Sequence, residues 1–192
     1  QDDERNKKPV GIHWLQAAAV RAFSSVEARE IWAYRLPSVA GAVLAAIFTY
    51  VAGARLFGPA TGFLAAILLS SAPAVMGEAT IAKTDAMLLG CVAAAQAAFA
   101  HVCAAASEGS RARRFWPLLF WVAIGAGVLI KGPIILMIVA FTAAAMFIRD
   151  PKAGWIPALR PATGAFILVL IIAPWVYAIN EATEGRFFAE AV

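Results

Sequence analysis

Charge is scarce in this sequence. Of 192 residues, 15% are Asp, Glu, Lys or Arg and 62% are hydrophobic. A soluble domain carries about a quarter charged residues. The deficit leaves too little charge to cover a water-exposed surface, and the mean hydropathy of +0.76 agrees. It excludes a disordered chain and a soluble nucleic-acid binder. The excess of 16 basic over 12 acidic side chains therefore does not indicate nucleic acid, because basic residues in a membrane protein mark loops and headgroup contacts. Cysteine is scarcer still, with Cys91 and Cys103 alone, which excludes a disulfide scaffold. Twelve residues of helix separate the two, about 18 Å, beyond disulfide reach. Both read as packing residues. Strand-like alternation and a repeat of fixed period are also missing. The opening, Gln1-Asp2-Asp3-Glu4-Arg5-Asn6-Lys7-Lys8, has no apolar core and is not a signal peptide. The stretch from Gln1 to Val192 reads as part of something longer.

What is abundant is the long apolar run. A membrane helix needs roughly 17–25 mostly apolar residues. Six stretches qualify or nearly so: Leu36–Ala54, Leu56–Gly77, Ala86–Ser107, Phe115–Ile130, Gly132–Ile148 and Pro161–Asn180. The fourth and fifth, at 16 and 17 residues, are short, and snorkelling by Arg114 and Arg149 extends them. The expected fold class is all-α, a polytopic transmembrane helix bundle. Ahead of it, residues 1–34 read as an interfacial segment. Ile12, Leu15, Ala19 and Phe23 recur at helical spacing there, between Trp14 and Trp32, as in an amphipathic helix. Arg35-Leu36-Pro37-Ser38 then opens the first span, with Pro37 in the first turn. Residues 35–180 form the transmembrane domain, and residues 181–192 begin the next extramembrane segment.

Loop charges orient the bundle. One side holds Arg55, Arg111, Arg113, Arg114, Arg149, Lys152 and Arg160. The short connections of the other side hold Lys83, Lys131 and Arg186, with Glu78, Asp85, Glu181, Glu184 and Glu190. The basic excess puts the first side in the cytoplasm. Against this stand the basic residues of 1–34, on the other side. Lys7, Lys8, Glu78, Lys83, Asp85 and Lys131 then share the outer face, at helix ends beside apolar runs. Each has a plain reading. Thr84 or Asp85 caps a helix, Lys131 anchors a helix end, Lys7 and Lys8 meet headgroups, and Glu78 is structural. His13 reads as an interfacial group, His101 as a satisfied buried histidine, and the Trp and Phe residues as an interface belt. Convergence favours chemistry instead. Clustered lysines suit a phosphate or pyrophosphate, and a carboxylate suits a base or a sugar hydroxyl. A lipid-linked phosphosugar presents these groups at this depth.

Several segments resemble one family. They are Lys7-Lys8-Pro9-Val10-Gly11-Ile12-His13-Trp14-Leu15-Gln16, Arg35-Leu36-Pro37-Ser38, Arg55-Leu56-Phe57-Gly58, Lys83-Thr84-Asp85-Ala86, Lys131-Gly132-Pro133 and Ala173-Pro174-Trp175. In this order they resemble bacterial GT-C glycosyltransferases of the aminoarabinose transferase and protein O-mannosyltransferase kind. The resemblance implies a multi-pass inner-membrane enzyme with a periplasmic active face. Such enzymes move a sugar from an undecaprenyl-phosphate carrier to lipid A, another glycolipid or a protein. By the resemblance, Lys8 contacts the donor phosphate, Asp85 supports the acceptor or the catalytic geometry, and Lys131 is a polar contact in the outer cavity. Lys83 and Glu78 are neighbours of these. Many members carry Glu before the Lys-Pro, where a divalent metal binds; here Lys7 stands there, which leaves the metal in doubt. The family's Asp-Glu pair, expected to include the catalytic base, has no match in these residues, so the chain is expected to be inactive alone. The rivals are a transporter or flippase, using its membrane charges as a path, and a non-catalytic subunit, using Gly125 and Gly127 for packing.

Overall fold

The computed structural model describes residues 9–150 and 154–183, and every regular element among them is a helix. α1 spans Gly11–Phe23 and buries Gly11, Ile12 and Val20. Leu15 and Phe23 face outward, 39% and 66% exposed, so the buried stripe is rotated from the expected one. A close approach sets the rotation. A Cβ on Gly11 would lie 2.6 Å from the Leu129 carbonyl oxygen, so only glycine lets α1 touch that backbone. Ile12 and Val20 turn inward with it.

α2 spans Ile31–Phe57. It starts five residues before the expected Leu36, so Pro37 lies inside the helix rather than in its first turn. Proline withholds one N–H from the ladder, which membrane helices tolerate where neighbours pack against the site, and Pro37 is buried. Gly58, at φ 94°, ends α2. The stretch expected as one span at 56–77 is two helices, α3 (Pro59–Ser71) and α4 (Pro73–Ala79), bent by 63°. Pro73 causes the bend. Its ring disfavours the α conformation in the residue before it, and Ala72 sits extended at ψ 126°.

α5 spans Asp85–Ser107, α6 Phe115–Lys131 and α7 Ile134–Arg149. Gly132, at φ 77°, separates α6 from α7 where the sequence places Gly132-Pro133. A four-residue helix, α8 (Trp155–Ala158), leads into α9 (Pro161–Ala182). Three helices, α2, α5 and α9, are long and apolar enough to cross a membrane, and the bent α3–α4 pair makes a fourth. α6 and α7 are apolar but shorter, at 17 and 16 residues.

α5 is the central helix. Of its apolar window 61% is buried, against 11% for α9. Lipid supplies little hydrophobic drive between helices, so close van der Waals contact carries the packing. α5 and α2 make it through small residues: a Cβ on Gly90 would lie 2.7 Å from the Gly41 carbonyl oxygen. Across α5, Gln96 Nε2 donates to Thr142 Oγ1 of α7 at 2.9 Å. Trp155 of α8 tucks under Phe99, edge on at 5.1 Å, and Trp121 Nε1 donates to the Leu159 carbonyl at 2.8 Å. The tryptophans thus divide. Trp14 and Trp32 are about half exposed, at 54% and 48%, whereas Trp155 is core at 6%. Gly125 and Gly127 face Ile171 and Ile135 of the same chain, so these glycines serve internal packing.

Candidate functional site

α5 and α6 run antiparallel, which sets the first residue of α5 beside the last of α6. Asp85 therefore sits at a helix N-terminus and Lys131 at a helix C-terminus, each where its charge suits the helix dipole. The two side chains meet: Lys131 Nζ donates to Asp85 Oδ1. Forty-six residues separate the partners in sequence. Asp85 makes no capping bond to the α5 backbone, and neither does Thr84. The capping reading is thus replaced by an ion pair, because α6 presents a cation within reach. The side chains are 40% and 36% exposed, and pairs this open add only about 0.2–1 kcal/mol. An ammonium has three donors. Lys131 spends one on Asp85 and keeps two for an anion.

Two further contacts build this end of the bundle. Ser38 of α2 is fully buried, and its hydroxyl donates to the Lys83 carbonyl at 3.1 Å. That bond ties the connection before α5 to α2 and fixes where Asp85 begins its helix. The other contact is at Gly132, where an added Cβ would lie 3.9 Å from Pro9 Cγ. Pro9 thus stands beside the Gly132 turn that ends α6. The sequence reading treats Ser38 and Pro9 only as motif letters. The signal for Ser38 was a hydroxyl one residue after a helix proline, too common to single out.

The other expected site residues fall differently. Lys8, with Lys7, lies outside the described residues. Lys83 is exposed, and its backbone rather than its ammonium is anchored. Glu78, in the last turn of α4, holds Oε2 buried with no hydrogen-bond partner among the described residues. Among those residues no group of three or more His, Cys, Asp and Glu gathers as a metal centre.

The far end of the bundle carries a second ion pair, Arg55 with Glu108 at 2.6 Å. Nearby, His101 stacks on Trp116 with centroids 3.7 Å apart, and its Nε2 is buried without a hydrogen-bond partner among the described residues. The apolar cleft at the α3–α4 bend, lined by Phe63, Ile67 and Met76, holds no charged residue. Asp85 and Lys131 remain the place where opposite charges meet, close to the backbone anchor at Lys83 and to the Gly132 turn that Pro9 approaches.

Known proteins share this fold. The structure resembles that of ArnT from Cupriavidus metallidurans in the apo state, with a TM-score of 0.81 and 21% identity over 95% of this chain. It also resembles ArnT from the same organism bound to undecaprenyl phosphate, with a TM-score of 0.84 and 21% identity over 97% of this chain. The chain spans 34% of the length of these solved proteins. Among curated protein sequences none matches. The family model for dolichyl-phosphate-mannose-protein mannosyltransferase matches residues 7–177. That match covers most of the sequence, and the chain is accordingly a membrane protein that belongs to the dolichyl-phosphate-mannose-protein mannosyltransferase family.

Proposed function

We propose that this chain forms part of a membrane glycosyltransferase that takes a sugar from undecaprenyl phosphate and passes it to lipid A, another glycolipid or a protein. The observation that carries the reading is the Asp85–Lys131 pair at one end of an apolar bundle, next to the Gly132 turn that Pro9 approaches, in a chain whose family match runs through residues 7–177. Support for the donor comes from the ArnT structure bound to undecaprenyl phosphate, which shares this fold. The outer face is read as periplasmic and the membrane as the bacterial inner membrane, from the arginine excess at the opposite end.

The proposed reaction is a single displacement at the anomeric carbon. The acceptor oxygen forms the new bond to that carbon. The bond to the carrier phosphate breaks, and the phosphate leaves with the electron pair. The acceptor proton passes to a carboxylate base. Asp85 is committed to Lys131, which suits it to positioning rather than to proton abstraction. Lys131, with two donors spare, and Lys8 would stabilise the charge that grows on the departing phosphate. Lys83 and Glu78 would border the same cavity. The base is assigned to the intact protein outside these residues, so the chain alone is proposed not to transfer sugar.

The test is transfer by the intact protein from an undecaprenyl-phosphate sugar. A charge-assisted hydrogen bond is worth about 1.5–3 kcal/mol. Lys131→Met is expected to lower kcat/KM on the order of tenfold to a hundredfold. Asp85→Asn is expected to lower it too, and the double variant to be no worse than the poorer single. Wild-type transfer by both single variants would overturn the assignment.

A further inference from the structure

The end of the bundle opposite Asp85 and Lys131 carries an unusual surface. Arg111, Arg113 and Arg114 lie on the α5–α6 connection, Arg149 ends α7, and Arg160 precedes α9. All five are exposed. None of their side chains is in an ion pair among the described residues. Glu108 is taken by Arg55, and Asp150 has its own interaction.

The topology gathers them. The Arg55–Glu108 pair ties the end of α2 to the end of α5. Trp121 on α6 is bonded to Leu159 beside Arg160, which holds the α8–α9 junction against the start of α6. Large apolar side chains sit among the arginines and point outward: Phe115 is 57% exposed, Ile148 80% and Ile156 41%. Arg160 is held at φ 53°, a left-handed backbone that ordinary residues rarely adopt. Exposed guanidiniums with apolar side chains beside them have two complements in one partner, a phosphate layer and the acyl region beneath it. A guanidinium grips phosphate oxygens in a fork, and adjacent aromatics settle at the headgroup level.

We propose that this arginine face binds the headgroups of anionic phospholipids, with the Arg111-Ala112-Arg113-Arg114 connection as its centre. The partner is the lipid and not a free anion, because the apolar neighbours have no role toward inorganic phosphate. Each basic residue at an anionic surface strengthens binding by about fivefold. Removing three should weaken it about a hundredfold.

The test is lipid retention by the intact protein, released from nanodiscs of phosphatidylcholine mixed with phosphatidylglycerol and read by native mass spectrometry. The wild type is expected to retain phosphatidylglycerol in preference to phosphatidylcholine. The Arg111→Gln, Arg113→Gln, Arg114→Gln variant should lose that preference. The corresponding triple lysine variant should keep most of it, and added salt should erode it in the wild type. If the glutamine variant fails to fold, the salt titration and the lysine variant decide. Equal retention of both lipids by the wild type would overturn the proposal. So would displacement of phosphatidylglycerol by inorganic phosphate at equal concentration, which would make the face a free-anion site.

Discussion

At the scale of single residues, Ser38 has the clearest assignment. It is fully buried, and its hydroxyl spans 45 residues of sequence to hold the Lys83 carbonyl. Ser38→Ala removes that donor without adding bulk. The cost should be about 1 kcal/mol of stability, the usual net worth of such a bond, seen as a lower thermal midpoint in detergent. Because the bond sets the start of α5, transfer activity should fall further than the stability loss alone explains. An activity loss that tracks the folded fraction would limit Ser38 to a structural part. Asp85 and Lys131 should behave in the opposite way. Their pair is more than a third exposed, so a double-mutant cycle on stability should return less than about 1 kcal/mol of coupling, while the same cycle on transfer shows strong non-additivity.

At the scale of helices, glycine placement decides how α2 meets α5. A Cβ on Gly41 would strike the Ala86 carbonyl and the Met87 Cα, which are backbone atoms that cannot swing aside. Gly41→Ala should therefore force the helices apart and destabilise by about 1–3 kcal/mol or more. It would also displace the first turn of α5, where Asp85 stands. Gly77, inside α4, is the contrast. An added Cβ there meets nothing within 4 Å, so Gly77→Ala should stabilise by about 0.5–1 kcal/mol through helix propensity. Thermal unfolding of the two variants should shift in opposite directions. Equal shifts would mean that the α2–α5 contact is looser than its geometry indicates.

At the scale of the whole molecule, the two ion pairs stand at opposite ends of the bundle. Lys83 and Arg113 must then face opposite sides of the membrane. With Cys91 and Cys103 replaced by alanine, Lys83→Cys should react with an impermeant maleimide added to whole cells whose outer membrane is permeabilised. Arg113→Cys should react only after the inner membrane is opened. The reverse pattern would invert the orientation read from the loop charges, and with it the face on which the donor is expected.

Composition determined that this chain belongs in a membrane, because so few charges cannot cover a surface in water, and long apolar runs without strand-like alternation determined that it is helical. The motif order was also enough to reach the family, and it pointed to Asp85 and Lys131 as candidates, which the structure brings together. Local chemistry was readable where it acts on neighbours, as at Gly132-Pro133. It was misread at Pro73, where the apolar run hid a bend that the proline imposes, and in α1, where contact with Leu129 rather than hydrophobic spacing chose the buried stripe. Only the tertiary structure decided that Asp85 is a partner of Lys131 and not a helix cap, and that Ser38 holds the connection leading into α5. Those contacts join residues 46 and 45 positions apart. Spacing along a helix or strand predicts neighbours a few residues away; which distant side chains meet depends on how α2, α5 and α6 pack, through glycines and alanines that carry no chemical signal of their own.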